Sequence, residues 1–197
     1  MLEITTFVLG ALRTNCYLIK DTKTGLGAII DPGGASLRLD ENINTMGKNK
    51  IKYIILTHGH FDHILKAKRY KDYTGAKIVI GENEAEFTEN TELNLGRGLK
   101  PFKPDILLKD KEELLLGDLV IKALHTPGHT RGGMCYIVDN VMFCGDTIMK
   151  GCFGRTDFAT GSSEDLENSI EKIKDLNSNY ELYPGHGERT TLFDEIQ

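Results

Sequence analysis

The sequence predicts an α+β fold in which helices lie outside two β-sheets. Three short segments near the start, residues 3–9, 15–20 and 26–31, are rich in Ile, Val, Thr and Tyr and are separated by turns, as strands of one sheet are. A helical pattern then separates the third segment from another apolar run, which predicts a helix outside the sheet. Two later pairs of apolar runs flank Gly117-Asp118 and Asp139-Asn140, as β-hairpins do, and predict the second sheet.

The first half of the chain alternates predicted strands and helices. Asp31-Pro32-Gly33-Gly34 ends the third strand, because proline lacks a backbone donor and glycine permits turn conformations. Residues 36–46 are predicted to form a helix whose inner face carries Leu37, Ile43 and Met46. The run 53–56 then predicts a buried strand.

The following elements are a predicted helix over 64–73 that ends at Gly75, a strand over 77–80 and a short acidic helix over 82–89. Residues 90–104 are polar and without periodicity, which predicts an exposed loop of the kind that often covers a site. Ser162 begins a helix with apolar residues at three- and four-residue steps, and residues 180–183 form a last strand. We predict one domain over residues 1–197.

Charge and composition restrict the class of protein. The net charge of -5 and the scattered Lys and Arg argue against a nucleic-acid partner. No apolar run approaches the roughly 18 residues of a membrane span, and no signal-peptide pattern opens the chain, so we expect a cytoplasmic protein without a membrane partner. Four cysteines without a CxxC pair predict reduced thiols. The oligomeric state is left open.

The segment Thr57-His58-Gly59-His60-Phe61-Asp62-His63 indicates a metal site. It holds four potential ligands directly after a buried strand, and His is the commonest metal ligand in proteins. Alternate residues of an extended chain point to one side, so His58 and His60 can bind one cation together. Asp62 and His63 diverge from that pair and are better placed for a second cation, as in two-metal hydrolytic sites.

Three further ligand candidates lie on tight turns at the ends of predicted strands. They are His129 in TPGHT, Asp146 in GDT and His186 in PGHG. A side chain held on a rigid turn has little freedom, which suits a coordination sphere. Each motif alone would also suit an ordinary turn, but together with the first segment they form a specific set.

In this order THGHFDH, TPGHT, CGDT and YPGHG resemble the motif series of the metallo-β-lactamase superfamily, within which the chain is most similar to short glyoxalase II-like hydrolases. The resemblance implies a four-layer αββα sandwich with the metal site at one edge of the β-sandwich. It also implies that His58, His60 and His129 hold one metal and that Asp62, His63 and His186 hold another. Asp146 would bridge the two.

Three other residues are assigned supporting roles. The resemblance implies that Asp31 supports the ligand loop by hydrogen bonds. His125, four residues before His129, is interpreted as a supporting or purely structural residue rather than a ligand. Arg155 is interpreted as an anchor of its loop, with contact to a substrate anion as the alternative.

The chemistry that follows is hydrolysis of a small-molecule thioester. A hydroxide bridging two divalent metals, most plausibly Zn with Fe or Mn as alternatives, would attack the carbonyl, and Asp62 would orient it. A thiol, with a pKa of about 8.5, leaves without a general acid. The alternatives are a mononuclear-iron persulfide dioxygenase of the same fold, a lactonase or other ester hydrolase, a β-lactamase, a nuclease and a non-enzymatic metal-binding scaffold.

Overall fold

The computed structural model describes residues 1–196 and contains two six-stranded sheets. The first sheet has the strands β1 (Leu2–Leu9), β2 (Thr14–Asp21), β3 (Gly27–Ile30), β4 (Ile51–Ile55), β5 (Lys77–Gly81) and β6 (Ile106–Leu108), which neighbour one another in that order. The pairs up to β3 are antiparallel, and those from β3 to β6 are parallel. Parallel neighbours place their carboxyl ends at the same edge of the sheet.

The second sheet is mostly antiparallel. The remaining strands of the chain are β7 (Glu113–Leu116), β8 (Leu119–His125), β9 (Met134–Val138), β10 (Val141–Gly145), β11 (Ile148–Met149), β12 (Cys152–Phe153), β13 (Glu181–Pro184) and β14 (Thr190–Thr191). Six of them form the sheet in the order β14-β13-β10-β9-β8-β7, and β11 and β12 form a separate hairpin. The one parallel pair, β10 with β13, brings the ends of these two strands together.

Helices cover the outer face of each sheet. They are α1 (Leu37–Met46), α2 (Phe61–Ile64), α3 (Ala67–Thr74), α4 (Ser163–Lys174) and α5 (Leu192–Glu195), together with 3₁₀ segments at Lys48–Lys50 and Glu82–Thr88. One apolar cluster lies between α1, α3 and the first sheet, a second lies between the sheets, and a third lies between the second sheet and α4. The predicted four-layer αββα sandwich is therefore confirmed.

Strand β3 shows why these strands are apolar without alternation. Ala28 and Ile30 lie in the cluster between the sheets, whereas Ile29 lies in the cluster beneath the helices. Side chains of a strand alternate between its faces, and both faces of this sheet are covered, so every position is buried. Each fully buried Ile contributes about 1.5–3 kcal/mol relative to an exposed one.

The inner face predicted for α1 is partly wrong. Leu37 is 82% exposed, whereas Leu39 is buried with Ile43. Ser36 caps the helix by accepting a hydrogen bond from Leu39 N, so Leu37 is the first helical residue and lies at the solvent side. The helix predicted over 64–73 is also interrupted, because α2 ends at Ile64 and α3 begins at Ala67.

The loop predicted to be exposed over 90–104 is partly buried. Leu99 and Phe102 join the cluster beneath the helices, and Asn94 is fully buried. Phe61 N donates to Asn94 O over 2.8 Å, so this loop packs directly on the helix that carries Asp62 and His63. The segment therefore supports the ligand helix from outside.

Three of the four cysteines are buried and Cys152 is exposed; all four thiols are free. Among residues 1–196, no helix has both the length and the apolar character needed to cross a bilayer.

Candidate metal centre

The seven predicted ligand side chains converge at one edge of the sandwich. His58 and His60 follow β4, and Asp62 and His63 belong to α2. The other three follow strands of the second sheet: His129 comes after β8, Asp146 after β10 and His186 after β13. Because β4 is a parallel strand and β10 pairs in parallel with β13, their carboxyl ends deliver these turns to the same place. Strand direction therefore assembles residues that are far apart in the chain.

The first group of side chains consists of three imidazoles. His60 Nδ1 lies 3.1 Å from His58 Nε2 and 3.0 Å from His129 Nε2. All three rings are buried. Zn–N bonds of about 2.0–2.1 Å in a tetrahedral site place ligand nitrogens little more than about 3 Å apart, so the spacing suits one cation.

Hydrogen bonds on the far side of two rings leave their inward nitrogens unprotonated. His129 Nδ1 donates to Arg155 O over 2.8 Å, since a carbonyl can only accept. Thr57 Oγ1 donates to Asp31 Oδ2 over 2.6 Å, so it must accept from His58 Nδ1, 3.2 Å away. The Nε2 atoms of His58 and His129 therefore present lone pairs toward His60 Nδ1, and one cation bound by all three nitrogens would satisfy them together.

Burial keeps this first group neutral. It lowers the pKa of His58 well below its ordinary value and that of His60 to about 3, in both cases aided by neighbouring histidines. It also lowers the pKa of His129, although Asp146 opposes the shift. Neutral imidazole is the form that binds metal.

The second group combines two imidazoles and two carboxylates. His63 Nε2 lies 3.4 Å from Asp62 Oδ2 and 3.5 Å from Asp146 Oδ1, and His186 Nε2 lies 3.2 Å from Asp62 Oδ2. Asp146 also reaches the first group, because its Oδ2 lies 3.6 Å from both His129 Nε2 and His186 Nε2. A carboxylate in this position can bind two cations at once.

The electrostatics of the second group show an excess of negative charge. Although burial opposes the shift, Asp146 and Asp31 raise the pKa of His63 to about 10. Although burial opposes the shift here too, the hydrogen bond to Asp62 raises the pKa of His186. Burial would raise the pKa of Asp62, but the hydrogen bond from His186 outweighs it and lowers this pKa. The carboxylates thus attract positive charge, which a divalent cation would supply in place of protons.

Two buried atoms of this group show that its residues fit a metal. Among the described residues, His63 Nε2 and Asp146 Oδ1 are buried polar atoms without a hydrogen-bond partner. A Cβ on Gly185 would overlap Asp146 Oδ1 and lie 2.7 Å from His63 Cε1, so glycine is needed for the close approach of this turn. A cation bound by this nitrogen and this carboxylate oxygen would satisfy both atoms, so the residues fit a metal.

Asp31 lies behind the second group. Its Oδ2 accepts from His63 Nδ1 over 2.9 Å, and its Oδ1 accepts from Thr57 N over 2.8 Å. It therefore fixes the ring of His63 with Nε2 directed into the group, and it also holds the residue that precedes His58. This arrangement agrees with the supporting role expected for Asp31.

His125 and Arg155 lie outside both groups. His125 is half-buried, and its Nε2 bonds with Arg131 O over 3.1 Å. The exposed guanidinium of Arg155 forms a bidentate pair with Asp157 and lies 4.7 Å from the centroid of the Phe158 ring. The pairing fits the loop-anchor interpretation of Arg155, while its backbone carbonyl orients His129.

Several supporting residues were missed by the sequence interpretation. Thr14 Oγ1 donates to Asp62 Oδ2 over 2.8 Å, and Asn15 Nδ2 donates to both Pro184 O and Gly187 O over 3.0 Å, which holds the turn of His186. Buried Glu84 contacts both loops of the first group, and burial raises its pKa to about 7. Asn15 is the first residue of the strand predicted over 15–20, and a polar residue at that position was a usable signal, whereas Thr14 and Glu84 carried none.

Removing the negative charge of Asp31 should weaken the second group. In Asp31→Asn one acceptor oxygen becomes an amide donor, which faces the N–H of His63 or of Thr57. We expect the affinity for the second metal to fall about 10–100-fold, measured by titration of apoprotein with Zn²⁺ against a competing chelator. Asp72→Asn, at an exposed aspartate that pairs with Lys68, is the control. Equal affinities in the Asp31 variant and the wild type would contradict this role.

Comparison with known proteins gives one consistent family. The sequence profile described as the metallo-beta-lactamase superfamily matches residues 9–186. The chain is 38% identical to the hydroxyacylglutathione hydrolase GloC of Haemophilus influenzae, covering 94% of this chain and 91% of that protein.

Two solved structures are also similar over almost their full length. The BLEG-1 B3 metallo-beta-lactamase superposes with a TM-score of 0.86 at 30% identity, covering 100% of this chain and 96% of that one. TTHA1623 in a di-iron-bound form superposes with a TM-score of 0.83 at 28% identity, covering 98% of this chain and 97% of the other. Both the sequence and the fold therefore point to the same family.

Proposed function

This chain belongs to the metallo-beta-lactamase superfamily of metallo-hydrolases, and we propose that it hydrolyses a small-molecule thioester with two divalent cations. The observation that carries the proposal is the pair of neighbouring ligand groups, both of which Asp146 approaches, together with the orphan atoms His63 Nε2 and Asp146 Oδ1. The similarity to a protein named hydroxyacylglutathione hydrolase supports a thioester as the substrate class.

In the proposed site His58, His60 and His129 hold the first cation and Asp62, His63 and His186 the second. When bound, the cations supply an activated water as nucleophile and polarise the substrate carbonyl. Two cations carry four positive charges, and Asp62 and Asp146 offset two of them, so the site favours a developing oxyanion. We propose zinc, because neutral imidazole and carboxylate suit it; iron is the alternative, since TTHA1623 is described as di-iron-bound.

Asp62 has the role of orienting the nucleophile. Its carboxylate is 12% exposed and is held by Thr14 Oγ1, so it can accept a hydrogen bond from an attacking water without turning away. On the other side, the half-buried ring of Phe158 lies 5.0 Å from the His60 ring and 5.5 Å from the His129 ring and shields the first group from solvent. The side chains of His186 and Asp62 are 27% and 12% exposed, so we place the approach of water beside them.

The leaving group distinguishes thioesters from amides. A thiol with a pKa of about 8.5 departs as thiolate, so the protein need not donate a proton to it. An amide nitrogen needs such a proton before it can leave.

A β-lactam is the second candidate substrate, because the fold superposes closely on a B3 metallo-beta-lactamase.

Metal content and substrate assays test the proposal together. We expect about two equivalents of Zn, Fe or Mn per chain by elemental analysis after reconstitution, because the ligands divide into two groups. The loaded protein should hydrolyse S-lactoylglutathione or a simple aryl thioester with a higher kcat/KM than a chromogenic cephalosporin.

At most one equivalent would exclude the binuclear site and favour the mononuclear dioxygenase. Two equivalents without thioesterase activity would contradict the substrate class, and faster turnover of the cephalosporin would favour the β-lactam alternative.

A further inference from the structure

Glu84 places a fully buried carboxylate behind the first ligand group. It belongs to the 3₁₀ segment Glu82–Thr88, and none of its surface is exposed. Its Oε2 accepts from Gly59 N over 2.7 Å, and its Oε1 accepts from Gly132 N over 2.9 Å. Both oxygens therefore bind backbone amides rather than a charged side chain.

The two amides belong to the two loops that carry the first ligand group. Gly59 lies between His58 and His60, and Gly132 lies three residues after His129. In the chain Gly59 is 25 residues from Glu84, and Gly132 is 48 residues from it. One side chain thus connects the loop after β4 in the first sheet with the loop after β8 in the second.

The segment around Glu84 is packed tightly against both loops. A Cβ on Gly132 would lie 2.6 Å from the carbonyl carbon of Asn83 and 2.7 Å from Glu84 N, and a Cβ on Gly59 would overlap Phe87. The Phe87 ring also lies 6.1 Å from the His60 ring. Since no free space separates the segment from the loops, a shift of the carboxylate moves the loops with it.

We propose that Glu84 is a positioning residue that sets the separation of the His58–His60 loop from the His129 loop, and thereby the affinity of the first metal group. This inference rests on the proposed metal function. Only a carboxylate of this length offers two acceptor oxygens to two N–H groups, because an amide has one oxygen and presents donors in place of the other. A side chain that merely filled the core would not need a buried carboxylate, which is costly to desolvate.

Glu84→Gln tests this with almost no change in side-chain volume. The amide keeps one of the two bonds and sets N–H against N–H at the other, so the loops should separate. We expect one of the two Zn²⁺-binding steps of the apoprotein to weaken about 10–100-fold, measured by competition with a chromophoric chelator, while the other step stays within about threefold of wild type. The ligand-field absorption of the Co²⁺-loaded first group should change as well.

Three comparisons separate positioning from a general structural role. Glu82→Gln makes the same change two residues away at an exposed position and should leave both steps as in the wild type. Ile43→Ala, on the buried face of α1, should lower Tm without changing either affinity. In a His129→Ala background, where the first group is already incomplete, Glu84→Gln should have no further effect on the remaining step.

The outcomes distinguish this inference from the proposed function. A wild type that binds no metal contradicts the metal function itself. If the wild type binds two metal ions, three results for Glu84→Gln would overturn the role of Glu84 alone. These are metal affinities equal to those of the wild type, equal weakening of both binding steps, and failure to fold under conditions in which Ile43→Ala folds. Selective weakening of one step, absent in the His129→Ala background, supports it.

Discussion

His129→Ala should abolish hydrolysis and remove metal from the first group. The ring supplies one of only three nitrogens in that group, and its Nε2 also lies 3.6 Å from Asp146 Oδ2, so both the first cation and the bridging carboxylate lose a neighbour. Several kcal/mol of charge stabilisation correspond to a loss of at least about a thousandfold in kcat/KM. The measurements are kcat/KM on a thioester and metal content by elemental analysis.

His125→Ala is the matched control on the same loop. His125 is half-buried and bonds to Arg131 O, outside both ligand groups. We expect a modest fall in Tm and a metal content equal to that of the wild type. If the His125 variant lost metal as completely as the His129 variant, the assignment of the two histidines would be wrong.

Asp62→Asn should lower turnover more than it lowers metal binding. As a ligand, Asp62 is one of several donors to the second cation, and an amide oxygen can replace part of its contribution. As the group that orients the attacking water it needs its negative charge, and a displacement of about 1 Å can cost roughly a hundredfold in rate. Thr14 Oγ1 would still bind the amide oxygen, so the side chain keeps its place.

The comparison requires kcat/KM and metal content on the same preparations. Asp118→Asn, at an exposed aspartate in the turn between β7 and β8 that pairs with Lys23, controls for the substitution itself. Near-normal turnover by an Asp62→Asn protein that retains both metals would refute the orienting role.

The longer strands were predictable from the sequence because their residue types indicate them, whereas β6, β11, β12 and β14, which are only two or three residues long, were not predicted. Runs such as those of β9 and β10 are continuous and apolar, and the turns between strands are marked by Gly, Asp and Asn. The face of α1 was not decided in this way. Whether Leu37 or Leu39 is buried depends on the residue at which the helix begins, and the cap at Ser36 sets that residue.

The loop over 90–104 shows a different limit. Its composition is that of an exposed loop, yet Leu99 and Phe102 are buried beside α3. A few apolar residues without periodicity give no signal of the surface on which they will pack, and this surface is formed by residues distant in the chain.

The convergence of the seven side chains was predictable because the residue types that bind metals are few and here lie in short motifs. All seven side chains meet in the structure, and their binding of metal stays a prediction. Thr14 and Glu84 were not predictable, because their contacts are with Asp62 and with the amides of Gly59 and Gly132, and no local pattern relates such pairs. Only the tertiary structure identifies them.

The hydrogen bonds of Asn15 to the turn of His186 have a consequence for how the molecule folds. Asn15 and Pro184 are 169 residues apart in the chain, so the second ligand group forms only after these two distant parts of the chain have come into contact. Contacts of such high sequence separation form late, because the entropy of closing the chain must be overcome first. A cation that binds this group would therefore favour the finished fold over the unfolded ensemble by mass action. Metal supply would then influence how much folded protein accumulates, and removal of the metal by a chelator would lower the free energy of unfolding.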